Sequence, residues 1–453
     1  MLRPLSRGAA TARRALSSSP GLPAMVSADE AVHVVRSGDS VFIHSAMNTP
    51  HLLVEALARR AAPAGSTSPS DLRDVTTVSI HTEGDNPLVA EEAATTFRHN
   101  ALFCGPNVRK AVQAGRADFT PCFLSEIPAF FRQGVLPVDV ALVKLSPPDN
   151  HGYCSMGTSV DVTVAALERA ATIVAEICPH VPRTHGDGSV HVSRLAAVVD
   201  SPEPVWHAAP ASPSELHREI GRHVASVIND GACVQAGIGN IPDATFLCLG
   251  DRKDLGIHTE MFSDSLLHLI EAGVVTNEHK KVFPGKTVTS FAVGSKRLVD
   301  FVHDNPDVRF LDVAYVNDLN VIQRNRDAVV INSAIEIDLT GQVVADSIGT
   351  YQVSGVGGQN DFIRGASLSE GGKPIIALPA RTSKGIPRIV PTIREGAGVV
   401  TTRAHVHYVA TENGIVDLWG KTARDRARLL TELAHPDDRE MLDRAAFERF
   451  KHA

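Results

Sequence analysis

The chain reads as an α/β protein made of two related halves, and three observations predict it. Short apolar runs alternate with amphipathic stretches from residue 28 onward, the pattern of strands feeding helices that cover a largely parallel sheet. The length, 453 residues, exceeds one ordinary core, so two domains of about 200 residues are expected. The tetrapeptide Ile80-His81-Thr82-Glu83 recurs as Ile257-His258-Thr259-Glu260. Each copy follows a strand opened by glycine, Gly38 or Gly231, and a helix opened by proline, Pro50 or Pro242, and recurrence in the same context points to two related halves.

Residues 1–27 carry Arg3, Arg7, Arg13 and Arg14 with the run Ser17-Ser18-Ser19, and no acidic residue precedes Asp29. That is the composition of a mitochondrial transit peptide, and it lacks the apolar centre of a secretory signal, so the matrix is the expected location. The first half is assigned to residues 28–205 and the second to 206–453, divided in the Pro- and Ser-rich stretch from Asp200 to Pro213. In the first half, apolar and β-branched runs predict strands at Val41–Ile43, Thr76–Ile80, Val138–Val143, Thr172–Ile177 and Leu195–Val199. Pro50 starts a helix through Arg60, because a first turn does not need the N–H that proline lacks, and Ala62–Asp71 is a surface insertion. In the second half, strands are expected at Val288–Ala292, Val313–Val316, Val329–Ile331, Pro374–Leu378 and Tyr408–Thr411. Helices are expected at Pro213–Ile228 and Pro242–Leu249, both opened by proline, and at the amphipathic stretches Ser263–Glu271 and Ala423–Ala434.

A formal charge of −7, with no basic run or aromatic-basic interleaving after the N-terminus, argues against a nucleic-acid partner. No stretch is long and apolar enough to span a membrane. Six cysteines, Cys104, Cys122, Cys154, Cys178, Cys233 and Cys248, form neither a CxxC pair nor a zinc-spaced array, so neither a disulfide framework nor a structural metal is expected. His405 and His407 flank Val406 on one face of a strand, but no acidic or Cys ligand sits beside them, and no metal is assigned.

The chemistry concentrates in the second half. Glu260 ends a short apolar strand beside the Gly-rich loop Gly237-Ile238-Gly239-Asn240-Ile241. A carboxylate is a weak nucleophile in water and becomes useful where burial and backbone N–H groups stabilise the oxyanion formed on attack at a carbonyl. The loop runs from a strand into a Pro242-bearing helix start, an anion-friendly arrangement, and it is no dinucleotide fingerprint because Pro242 stands at the third glycine of GxGxxG. A second loop, Gly355-Val356-Gly357-Gly358, lets backbone approach a ligand closely. At this level Glu83 and Glu260 are both candidate nucleophiles.

These blocks resemble the acetyl-CoA hydrolase/transferase family of family I CoA-transferases. The resemblance runs from about Ala28 to Leu433, and five segments in order carry it: Gly237–Pro242, Leu255–Asp264, Asn332–Gly341, Gly355–Phe362 and Ser383–Ile386. It implies two open α/β domains of the CoA-transferase type with the active site between them, and it selects Glu260 over Glu83. By the same resemblance, Gly237, Ile238, Gly239, Asn240 and Ile241 bind CoA, with the Ile238 amide in an oxyanion hole. Ile335, Gly357, Gly358 and Lys384 also meet CoA, Asn332 and Glu412 position Glu260, and Ser45, Asn48 and His51 face the acyl group. Two positions depart from the family pattern: Ser265 stands where glycine is common, and His268 where an acidic residue is usual.

The implied reaction is CoA transfer between an acyl-CoA and a small carboxylate, passing through an acyl-glutamyl anhydride and a glutamyl-CoA thioester. Coenzyme A is then substrate carrier rather than resident cofactor, and no ATP or metal is needed. A hydrolase on the same scaffold and a nonenzymatic CoA-binding protein are the alternatives. Homo-oligomers follow from the resemblance alone.

Overall fold

The structure, a computed structural model, describes residues 22–61, 72–208, 212–237 and 239–451. The insertion Ala62–Asp71, Ile238 and the expected leader through residue 21 lie outside them. The described residues form two compact units: those within 22–121, 126–208 and 290–312 make the first, and those within 122–125, 212–289 and 313–451 the second. Each unit is a mixed α/β layer structure around a mainly parallel sheet.

In the first unit the sheet has seven strands: β1 (Ser40–Ile43), β2 (Val75–Ser79), β3 (Phe97–Ala101), β4 (Ala117–Phe119), β5 (Val140–Leu145), β6 (Thr172–Ile177) and β7 (Leu195–Asp200). They lie in the order β7-β6-β5-β1-β2-β3-β4, every pair parallel. All residues of β1 and β5 are buried, as expected of central strands covered on both faces. Helix α1 (His51–Arg59) turns Leu53, Val54, Ala56 and Leu57 into a core shared with Val41, Ile43, Val75, Leu142 and Val174. Each such leucine contributes about 1.5–3 kcal/mol relative to exposure. Chain order reverses between β5 and β1, so the loops after β1, with Ser45 and Asn48, leave the sheet at a topological switch point.

The second unit repeats the plan with six strands: β8 (Cys233–Ala236), β9 (Gly256–Ile257), β10 (Ala328–Ser333), β11 (Lys373–Ala377), β12 (Tyr408–Thr411) and β13 (Gly414–Asp417). Their order is β9-β8-β10-β11-β12-β13, parallel except for the last pair. Helices α2 (Glu215–Ala225) and α3 (Asn240–Leu247) pack so closely that a Cβ at Gly221 would sit 2.8 Å from the Ala244 carbonyl carbon. Here the order reverses between β8 and β10, whose carboxyl ends carry Gly237 and Asn332.

Two expectations are corrected. Val313–Val316 is one helical turn, not a strand: the Asn317 amide donates to the Val313 carbonyl at 2.9 Å, and a four-residue apolar run has no period that separates the two states. The run Val288–Ala292 is divided into Thr287–Thr289 and Phe291–Ala292. Strands β3 and β4 were not anticipated, because Arg98, His99, Asn100 and Asp118 make them polar. His99 is nevertheless buried, with its ring nitrogens on the Thr77 and Ser79 hydroxyls at 2.9 and 3.3 Å.

Candidate active site

The second unit's candidate residues leave the carboxyl ends of successive strands, where parallel α/β sheets bind ligands. After β8, Gly237 donates its amide to the Ile331 carbonyl at 3.1 Å, and Gly239, at φ +125°, caps α3, which contains Asn240 and Ile241. The proposed oxyanion donor, Ile238, lies outside the described residues. After β9 the chain runs through His258 and Thr259 to Glu260. Beneath that strand, the buried Lys280 ammonium donates to the Ile257 carbonyl at 2.6 Å, and burial brings its pKa down to about 8.

Glu260 keeps part of its surface accessible while its carboxylate is densely surrounded. Asn317 Nδ2 donates to Glu260 Oε2 at 2.9 Å and lies 3.2 Å from Asp361 Oδ2. Asp361 also accepts from the Ser125 amide at 3.1 Å and the Ser125 hydroxyl at 2.9 Å. Burial pushes the Glu260 pKa up to about 7; the Asn317 hydrogen bond opposes the rise and the Asp361 charge adds to it. Gly358, which precedes helix α5 (Gln359–Leu368), lies flush against this pair, and a methyl group there would overlap Glu260 Oε2 and Asn317 Nδ2. Gly357 takes φ +58°, and its carbonyl accepts from the Leu124 amide at 3.0 Å.

Asn317 was not singled out from the sequence. Its signal is weak: one asparagine after an apolar run that reads as a strand, and only the helical turn aims it at Glu260. His258 was seen only as part of the repeat, yet its Nε2 lies 2.8 Å from the Val316 carbonyl, adjacent to Asn317. Because a carbonyl only accepts, Nε2 carries the proton, and burial first, then the Lys280 charge, drives the ring pKa down to about 3.

The residues expected to assist are placed more diversely. Asn332 Nδ2 is 3.5 Å from Gln235 Oε1, and its Oδ1 would lie 3.1 Å from a Cβ at Gly237, so it braces the Gly-rich loop. Glu412, after β12, accepts from the Ala380 amide at 2.9 Å. Ile335 is half-buried, its amide spent on the Val344 carbonyl at 2.8 Å, and Lys384 is exposed on the turn Thr382–Ile386. Ser265 donates to Asp243, tying α4 (Asp264–Glu271) to α3, so the departure from glycine adds a helix-to-helix contact.

In the first unit, the Ser45 hydroxyl is buried without a hydrogen-bond partner among the described residues. The Asn48 carboxamide is committed to the Lys144 carbonyl at 3.0 Å and to the Thr158 amide and hydroxyl at 3.2 and 2.6 Å. His51 begins α1, half-buried, and burial first, then Lys144, lowers its pKa. Glu83 pairs with His81 Nε2 at 2.9 Å. Among the described residues, no cluster of His, Cys, Asp and Glu is arranged to hold a metal ion, and no helix is long and apolar enough to cross a membrane.

Comparison with known proteins agrees over nearly the whole chain. Residues 19–209 match the family model "Acetyl-CoA hydrolase/transferase N-terminal domain", and residues 294–446 match "Acetyl-CoA hydrolase/transferase C-terminal domain". The succinyl-CoA:acetate/propanoyl-CoA:succinate CoA transferase of Fasciola hepatica is 49% identical, over 93% of this chain and 87% of that protein. The 4-hydroxybutyrate coenzyme A transferase of Clostridium kluyveri is 45% identical, over 94% of this chain and 98% of that protein. The crystal structure of 4-hydroxybutyrate CoA-transferase from Porphyromonas gingivalis superimposes with a TM-score of 0.80 at 38% identity, covering 94% of this chain and 98% of that one. On these matches the chain belongs to the acetyl-CoA hydrolase/transferase family and is a CoA-transferase.

Proposed function

We propose that the chain is an acyl-CoA:carboxylate CoA-transferase working by a ping-pong route on Glu260, with acetyl-CoA and succinate the favoured pair and a 4-hydroxybutyrate/butyrate pair the alternative. The observation that carries this reading is the Glu260 carboxylate, enclosed, made basic, and held by Asn317 against the bare backbone of Gly358. A carboxylate with a pKa near 7 is a better nucleophile than one near 4.5 and is still half ionised at neutral pH.

Glu260 attacks the thioester carbonyl, the C–S bond breaks, and an acyl-glutamyl anhydride and CoA thiolate result. The thiolate attacks the glutamyl carbonyl and expels the first carboxylate, leaving a glutamyl-CoA thioester. An incoming carboxylate attacks that thioester and releases the thiolate, which then takes the new acyl group and returns Glu260 as a carboxylate. Each step passes through an oxyanion, and each backbone amide aimed at it contributes roughly 3–4 kcal/mol. Gly237, Ile238, Gly239, Asn240, Ile241, Ile335, Gly357, Gly358 and Lys384 are assigned to CoA, Asn332 and Glu412 to support of the site, and Ser45, Asn48 and His51 to the acyl group.

Coenzyme A enters and leaves as carrier, with no resident cofactor. A mitochondrial matrix location and a homo-oligomeric state complete the proposal. The leader is assigned to residues 1–27. The test follows acetyl-CoA with and without succinate, 4-hydroxybutyrate or butyrate, recording free thiol and new CoA esters. Acceptor-dependent ester without net thiol release is expected. Thiol release regardless of acceptor would make the protein a hydrolase, and CoA binding without turnover a nonenzymatic CoA-binding protein.

A further inference from the structure

We propose that Arg388, together with Lys384 on the turn before it, binds a phosphate group of coenzyme A. This rests on the CoA-transferase reading. Residues 381 and 387 form an antiparallel bridge that closes a short hairpin, and Gly385, at φ +74°, turns its tip beside Lys384. Arg388 follows at the base. Its Nη1 donates to the Ala334 carbonyl at 3.0 Å, which fixes the guanidinium beside the segment that leaves β10 and contains Ile335.

What sets Arg388 apart is the missing counter-charge. Nearby arginines are satisfied by carboxylates: Arg381 by Asp437 and Asp438 at 3.2 and 2.6 Å, and Arg394 by Glu336 at 3.2 Å. Among the described residues neither Arg388 nor Lys384 has an ion pair, and Arg388 Nε is buried without a hydrogen-bond partner. Burial pulls the guanidinium pKa below its ordinary value, with no carboxylate to oppose it. A half-buried guanidinium lacking an anion is costly, and its planar fork suits the oxygens of a phosphate. A tethered ammonium four residues earlier adds positive charge at the same edge.

The pyrophosphate and the ribose 3′-phosphate of CoA share this chemistry, and truncated substrates separate them. Steady-state kinetics would use acetyl-CoA, acetyl-dephospho-CoA and acetyl-pantetheine with succinate as acceptor, in wild type, Arg388→Gln, Arg388→Lys and Lys384→Gln. Arg388→Gln is expected to raise KM for acetyl-CoA roughly 10–100-fold. With acetyl-pantetheine, which has no phosphate diester or monoester beyond the thioester arm, the same substitution should change kcat/KM by no more than about twofold. Arg388→Lys should recover part of the loss. An Arg388→Gln effect that persists with the dephospho substrate assigns the contact to the pyrophosphate, and one that vanishes there assigns it to the 3′-phosphate. Equal losses on acetyl-CoA and acetyl-pantetheine, or no loss on either, overturn the proposal, since a purely structural grip on Ala334 predicts equality. Calorimetric titration of CoA against pantetheine makes the same comparison without turnover, so a wild type that transfers nothing would sink the transferase reading and leave the Arg388 contact separately decided.

Discussion

The two copies of Ile-His-Thr-Glu end neighbouring strands of two similarly built units, yet their carboxylates live in different company. In the first copy the imidazole of His81 turns onto its own Glu83 at 2.9 Å, and the Thr49 hydroxyl accepts the Glu83 amide at 3.0 Å. In the second copy His258 turns away to the Val316 carbonyl, and the Glu260 carboxylate accepts from an uncharged amide, Asn317, beside a second carboxylate, Asp361. One tetrapeptide therefore makes a local His–Glu hydrogen bond in one unit and a basic carboxylate in the other. The basicity of Glu260 comes from its burial and from Asp361, against the pull of Asn317.

The sharpest break of this comparison is deletion of each carboxylate. Glu260→Ala should cost about 10⁴-fold or more in kcat, whereas Glu83→Ala should keep most of its activity. A folded Glu83→Ala protein that is equally dead would place both copies in the reaction. Next in size is the amide. With Glu260 as the nucleophile, activity should rise with pH as this carboxylate ionises near 7. Asn317→Ala removes the hydrogen bond that favours the ionised form, so the acid limb should move up and the rate at pH 7 fall roughly 10–100-fold. Asp361→Asn should move the same limb down, and a limb that stays fixed in both variants belongs to another group.

The histidines separate the copies more gently. His258→Phe leaves the Val316 carbonyl without its donor and loosens Asn317, with an expected loss of about tenfold in kcat, while His81→Phe should stay within about twofold. Matched losses would mean that both rings serve only the fold. The smallest effect is thermodynamic. The folded pKa of Glu260 lies above its ordinary 4.5, so the native state holds a proton that the unfolded chain has released between pH 4.5 and about 7, and stability falls as pH rises through that window. Glu260→Gln should be more stable than wild type at pH 8, by at most about 3 kcal/mol, with the gap closing toward pH 4.5. Melting curves at the two pH values would show it, and a constant gap would argue against a penalised carboxylate.

Much of this was legible in the sequence where local patterns and global fold agree. Gly237–Ile241, Glu260 and Gly358 stand at strand ends or helix starts because glycine, proline and β-branched residues mark such places. Strands built from Val41–Ile43 or Thr172–Ile177 announce themselves because both faces are buried. Legibility failed where meaning comes from distant chain. The polar strand Phe97–Ala101 is paid for by hydroxyls on its neighbour, and Asn317 depends on a single helical turn that its apolar residues do not distinguish from a strand. Asp361 was visible as part of a motif, but its two contacts with Ser125 bridge 236 positions of sequence.

That last contact bears on how the protein is made. Ser125 belongs to residues 122–125, which join the second unit although they are synthesised well ahead of the rest of it. The acidic neighbour of Glu260 therefore cannot acquire its serine partner from residues 209–453 alone, and closing so long a loop is slow relative to local pairing. A fragment beginning at residue 209 would carry Glu260, Asn317 and Asp361 and still lack one wall of their surroundings. Evolutionary or laboratory division of the chain at its most obvious seam would thus separate the nucleophile from part of its own foundation.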